Sequence, residues 1–183
     1  MREPAPPYTN EGPHALWHVS ENASLERFEP HVSATAKERE PLVWAVDTRH
    51  LPLYWFPRDC PRGTFWADGS ADPADTRRLL GGASRVHIVE QRWVERMRTT
   101  EVFSYRLPKD SFEPHPGVGG YWISRAPVEP LELVALGDLV ERHEQAEIEL
   151  RPLPTLWPTW DEVVASTLEY SGMRLRNALP RAS

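Results

Sequence analysis

His18 and Ser20 alternate along Leu16-Trp17-His18-Val19-Ser20, and Tyr54-Trp55-Phe56-Pro57-Arg58-Asp59-Cys60-Pro61-Arg62 gathers aromatic and guanidinium groups later in the chain. On a strand, residues two apart share a face, so an imidazole and a hydroxyl stand side by side, able to hydrogen-bond a ribose or a phosphate. An arginine grips planar carboxylates and phosphates in bidentate fashion, and rings offer stacking surfaces. Together these residue types suit an anionic, ring-containing ligand. Each has a structural alternative of at least equal standing. His18 is equally well read as a core histidine bonded to the backbone. Tyr54, Trp55 and Phe56 on a short helix more commonly serve a core, and Arg58 pairs most simply with Asp59, Asp47 or Glu90.

Other chemistries find less footing. His14 and His18 are four residues apart, but on a strand that spacing is ~13 Å, too far to share a metal. The histidines at 31, 50, 87, 115 and 143 have no ligand-like spacing, and no metal site is expected. Gly81-Gly82-Ala83-Ser84-Arg85 lacks the spacing and lysine of a phosphate loop, and neither a G-x-G-x-x-G nor a G-x-S-x-G pattern occurs. Cys60, between Arg58 and Arg62, is the only cysteine. It reads as a small packed residue rather than an activated thiolate, and its solitude fits a reducing cytoplasm.

The chain has 183 residues, the length of one compact domain with a substantial core. No apolar stretch approaches the ~20 residues of a membrane-spanning helix, and the first residues carry no apolar signal segment. The net charge of −6 opposes non-specific nucleic-acid binding, so a nucleic-acid target would need a local arginine patch. Lys37 and Lys109 are the only lysines.

The elements that must position these groups follow from pattern. Residues 1–13, rich in proline and polar groups, read as a flexible tail, and the domain spans 14–183. His14–Ser20 is expected as a strand, Asn22–Phe28 as a short helical turn, and 30–41 as a polar loop. Leu42–Val46 has the apolar run of a buried strand. Leu51, Tyr54 and Trp55 recur at helical spacing between Pro52 and Pro57. Further strands are expected at 62–67, 85–90, 101–107, 120–125 and 131–136. Helices are expected at 73–80, capped by Asp72 and closed by Gly81, and at 91–98. Another runs from Asp138 to about 146. A last helix starts at Thr159, with Trp160, Val163, Val164 and Leu168 as its buried stripe. Short strands and helices outside strict βαβ rhythm indicate an α+β domain with a split, twisted, mainly antiparallel sheet.

These residues also carry a resemblance. Leu16-Trp17-His18-Val19-Ser20 with Asn22 and Leu25 resembles the first strand and turn of the diphtheria-toxin-like ADP-ribosyltransferase superfamily. Val43-Trp44-Ala45-Val46-Asp47 and Leu53-Tyr54-Trp55-Phe56-Pro57-Arg58 are similar to the second strand and following helix of RNA 2′-phosphotransferases and DNA-modifying toxins. Val102–Phe112 and Gly120-Tyr121-Trp122-Ile123-Ser124 resemble the late strands. More closely, about residues 15–178 are similar to a bacterial family of unknown function. The resemblance implies NAD as cofactor, His18 and Ser20 at the ribose, Tyr54 as an aromatic wall and Arg58 as a phosphate or base clamp. It implies transfer of ADP-ribose, or of a phosphate onto it. The superfamily's catalytic glutamate falls at Tyr121, so the alternative is a non-catalytic nucleotide-sensing or interaction module.

Overall fold

In the computed structural model, which describes residues 15–32 and 40–181, the strands are β1 (Leu16–Ser20), β2 (Val43–Asp47), β3 (Arg62–Trp66), β4 (Arg85–Glu90), β5 (Phe103–Leu107), β6 (Glu113–Pro114), β7 (Tyr121–Ser124), β8 (Glu132–Ala135), β9 (Glu149–Leu153) and β10 (Glu169–Met173). The helices are α1 (Pro73–Asp75, continuing as a π-helix over Thr76–Leu80), α2 (Val94–Thr99), α3 (Leu139–Gln145) and α4 (Trp157–Val164). The architecture is α+β. His14 and the tail expected over 1–13 lie outside the described residues. No described helix is long and apolar enough to cross a membrane. Two compact units divide the chain. Among the described residues, one draws on 15–32, 40–55 and Glu101–Leu136, the other on Phe56–Thr100 and 137–181.

The first unit is a six-stranded antiparallel sheet in the order β6-β7-β2-β1-β5-β8. Alternation sends Leu16 of β1, Val43 and Ala45 of β2, and Tyr105 and Leu107 of β5 to one face, where they join Phe28 and Val128 in a core. His18 lies opposite Tyr105 in register and so shares that face. Trp44 and Val46 of β2 point the other way, opposite Ile123 and Tyr121 of β7.

The second unit is a four-stranded sheet in the order β10-β3-β4-β9, antiparallel except for the parallel pair β4 and β9. On one face Phe65, Val86 and Ile88 pack against Leu156, Trp160 and Val163. The Trp160 ring lies over two glycines: a Cβ on Gly63 or Gly172 would come within 2.7 or 2.6 Å of it. The other face carries Arg62, Thr64, Arg85 and His87, all buried.

Several expectations need correction. Asn22–Phe28 is not helical. Ser20 Oγ accepts from Asn22 N–H, Asn22 Oδ1 from Ser24 N–H, and Tyr105 Oη from Leu25 N–H, so side chains take the donors a helix would use. Phe28 then pairs with Val128 across a backbone bridge. The last helix begins at Trp157 with Pro158 in its first turn, not at Thr159, and ends at Val164. Ser166 stops it by donating to Val163 O while accepting from Leu168 N–H. Trp160, Val163 and Leu168 are buried as expected, but Val164 is 45% exposed. Strands β9 and β10, both at sheet edges, have no counterpart among the expected elements. Pro152 is tolerated in β9 because an edge strand need not donate on its outer side.

Candidate functional site

In the six-stranded unit, the end of β2 and the turn after it assemble a half-buried aromatic cluster. Asp47 closes the strand, and one of its oxygens accepts both from His50 backbone N–H at 2.9 Å and from His50 Nδ1–H at 2.7 Å. The Nδ1 proton is thereby fixed toward the carboxylate, and the neutral ring carries its lone pair on Nε2. A 3-10 turn over Leu51–Tyr54 follows, entered through Pro52, whose locked φ suits a first helical turn. Leu51 and Leu53 are buried, which leaves Tyr54 half-buried with its hydroxyl donating to Tyr121 Oη at 3.0 Å.

Tyr121 is the hub. Indole, phenol and imidazole rings surround it: Trp44 and Tyr54 lie edge-on with centroids at 6.4 Å each, and His50 is tilted at 6.5 Å. His115 stacks against Trp44 at 5.1 Å, and its Nδ1 accepts from Gly117 N–H, which places its proton on Nε2. Gly120 makes the arrangement possible. Its φ is +77°, its carbonyl accepts from Asp47 N–H at 2.9 Å, and a Cβ there would collide with the His50 ring. The cluster offers ring faces, two phenol hydroxyls and a carboxylate-oriented imidazole. The Asp47 and His50 side chains are 18% and 16% exposed, so both remain in reach of solvent.

The other residues singled out from sequence lie elsewhere. His18 Nδ1–H donates to Trp44 O at 2.9 Å and its ring packs on Phe28 at 4.7 Å, on the sheet face opposite Tyr121. Ser20 follows on the same face as His18 and caps Asn22. Arg58 is exposed and belongs to the four-stranded unit, where its carbonyl accepts from Arg174. Trp55 and Phe56 are buried. Tyr54 and Tyr121 are therefore brought together, while His18 and Ser20 open to the other side of their sheet. Cys60 is fully buried and its thiol is pushed up to about 12 by that burial, which keeps it protonated and inert. Glu90, a suggested partner of Arg58, instead pairs with Arg92 at 2.8 Å.

Sequence reading misses a buried pair of histidines in the four-stranded unit. His143 Nδ1–H donates to Leu139 O at 2.6 Å, one turn back along α3, so its Nε2 must accept. His87 Nδ1–H supplies that bond at 2.9 Å. Phe56 lies against both rings, at 5.6 and 5.1 Å, and Arg62 sits over the Phe56 ring at 5.1 Å. Burial pushes His143 down to about 4, and burial together with the positive neighbours Arg85 and Arg62 holds His87 well below the ordinary imidazole value. Both rings are neutral at pH 7. The only sequence signal is a histidine inside the apolar run Val86-His87-Ile88-Val89. Nothing in the spacing connects it to His143.

The chain belongs to the family of unknown function DUF6886, which it matches over residues 17–178. No curated protein and no solved structure matches it.

Proposed function

We propose that this protein binds a nucleotide, with NAD as the first candidate, at the cluster of Trp44, Tyr54, His115 and Tyr121. The observation that carries this reading is the Tyr54–Tyr121 hydroxyl pair, half-buried and ringed by aromatic faces. Half-buried rings with polar tips suit a ligand that is apolar on its faces and hydroxylated at its edge, as a nucleoside is. The resemblance to ADP-ribosyltransferases supports the same choice of ligand. His18, Ser20 and Arg58 are not needed for it. A tyrosine hydroxyl, with a reference pKa of about 10, stays neutral and gives a developing ribosyl cation less than a carboxylate would. Binding without robust NAD cleavage is thus the leading form of the reading. A cytoplasmic setting agrees with the single buried thiol.

A second reading, transfer of ADP-ribose or of a phosphate onto it, is favoured by the Asp47–His50 dyad. A carboxylate that orients Nδ1–H leaves Nε2 as a base able to take a proton from an acceptor hydroxyl. Isothermal titration with NAD tests the first reading: micromolar heat in the wild type that weakens in Tyr54→Ala is expected, and no heat in the folded wild type sinks it. Nicotinamide release separates the two. Turnover abolished by His50→Gln supports transfer, while NAD binding with no turnover supports the sensor.

A further inference from the structure

The edge strands of the two sheets are not alike. β6 is two residues long and contains Pro114, β9 carries Pro152 with the charged Glu149 and Arg151, and β10 opens on Glu169 and holds Gly172. Short length, proline, glycine and charge all discourage a further strand from adding to an edge. β8, which ends the six-stranded sheet beyond β5, is different. Leu131-Glu132-Leu133-Val134-Ala135-Leu136 is apolar apart from Glu132, and Arg106 Nε of β5, at 3.3 Å, draws that carboxylate back over its own sheet. Leu131 and Leu133 are 54% and 44% exposed and, being two apart, lie on one face with the exposed Ala135.

The backbone register shows which groups this edge offers. Leu136 N–H donates inward to Val102 O at 2.9 Å, so alternation also turns the peptide groups of Val134 toward β5, opposite Ser104. Leu133 and Ala135 therefore direct N–H and C=O away from the sheet, where no described strand pairs with them. The pairable stretch starts at Leu131, after Pro130, which has no N–H to give, and ends at Gly137, whose φ of +69° leaves the extended conformation. Val134 is its midpoint. A strand laid antiparallel about Val134 meets Leu133 at the position of an Ala135 and Ala135 at the position of a Leu133, which a second β8 satisfies residue for residue. Glu132 then faces the apolar Leu136 and not its own copy, so no like charges meet.

We propose that β8 pairs with β8 of a second copy of this chain about a two-fold axis at Val134, joining two six-stranded sheets edge to edge. Leu133 and Ala135 exchange backbone hydrogen bonds across the axis, and Leu131, Leu133 and Ala135 of both chains line one face of the joint. The match to itself is what selects a second copy over a foreign strand. An isologous contact requires one surface to complement its own image, and here length, register and charge all do so. One strand pair with a few apolar side chains belongs to the class of small, reversible interfaces, so association is expected only at high protein concentration. The proposal is independent of the nucleotide reading, which concerns Trp44, Tyr54, His115 and Tyr121.

Sedimentation velocity of the full chain over a concentration series is the test, with cysteine cross-linking to fix the register. A reversible shift from monomer to dimer is expected. Leu133→Lys, which puts a charge on an exposed edge position, and Ala135→Pro, which removes an outward N–H, should each raise the dissociation constant at least about tenfold. Across the axis the two Val134 residues form a non-hydrogen-bonded pair with Cα atoms ~4.5 Å apart, within reach of a disulfide. Val134→Cys should therefore cross-link under oxidation, whereas Leu131→Cys, opposite Gly137, should not. Cys60 is buried and does not compete. If Ala135→Pro does not fold, the wild type still decides, since the Leu133 and Ala135 amides must exchange more slowly at high than at low protein concentration. A chain that stays monomeric at every concentration overturns the assignment and leaves the edge to a foreign strand. A dimer indifferent to Leu133→Lys, amide exchange that ignores concentration, or cross-linking of Leu131→Cys as readily as Val134→Cys overturns it too.

Discussion

Two histidine sites in this molecule use the same side chain in opposite ways. In the six-stranded unit His50 is partly exposed and its Nδ1–H is held by the Asp47 carboxylate. In the four-stranded unit His87 and His143 are sealed, meet each other, and have guanidiniums as charged neighbours, so protonation is refused. Residue type sets neither behaviour. What sets the buried pair apart is that water does not reach its rings, because desolvation penalises the charged form. The first site holds one imidazole on a carboxylate within reach of solvent, and the second holds two neutral imidazoles on each other and on a backbone carbonyl.

The largest effect is expected where the sealed unit keeps water out. Trp160 fills the apolar face between Gly63 and Gly172, so Trp160→Ala should cost about 3–5 kcal/mol. Urea unfolding measures it. A loss below about 1 kcal/mol would mean that α4 contributes little to the core it covers.

Acid should act on the sealed pair next. The unfolded chain binds protons on both imidazoles near pH 6.5, whereas His143 in the folded chain resists until about 4. Unfolding therefore takes up protons as pH falls, and the stability is complete above about 6.5 and lost on the way down to about 4. For His143 alone the loss is about 3 kcal/mol across that window, with His87 adding in the same direction. Urea midpoints recorded between pH 7 and 4 give the slope. His143→Gln should make it shallower, and an unchanged slope would show that other groups govern acid unfolding.

How much of this is legible in the sequence follows the physics of each part. β4 and the capped segment after Asp72 stand out because an apolar run and a cap with proline are local signals, and both occur where expected. Strands β9 and β10 do not, since edge strands such as Glu149-Leu-Arg-Pro-Leu153 need neither strict alternation nor every donor. Tyr54 and Tyr121 stand out separately, and only sheet register brings them together. The same register parts His18 from Tyr121, because one residue's shift in alternation changes the face. His87 and His143 are invisible as a pair, being joined only by tertiary packing.

A smaller effect is expected at the open site from Gly120→Ala. The residue's φ of +77° disfavours any Cβ, and the added methyl meets the His50 ring, so about 1–3 kcal/mol of stability should be lost. The proton resonance of His50 Nδ1–H should shift as its bond to Asp47 is displaced. Retention of that resonance together with unchanged stability would show that the turn relaxes without disturbing the dyad.

The smallest effect lies in the Tyr54–Tyr121 hydroxyl pair, and it bears most directly on what the open site is for. Removing either hydroxyl leaves the other half-buried phenol in reach of water, so Tyr54→Phe or Tyr121→Phe should each cost only about 0.5–1.5 kcal/mol. If the two act as a unit, the double variant should lose less than the sum of the singles, with a coupling of about 0.5–1 kcal/mol in urea unfolding. The same cycle measured on NAD affinity asks a different question. A hydroxyl pair that serves only to brace the turn affects stability and leaves affinity alone, whereas a pair that meets the ligand couples in both measurements. Coupling in stability with additive or absent effects on NAD affinity would confine Tyr54 and Tyr121 to a structural role and remove the observation on which the nucleotide reading rests.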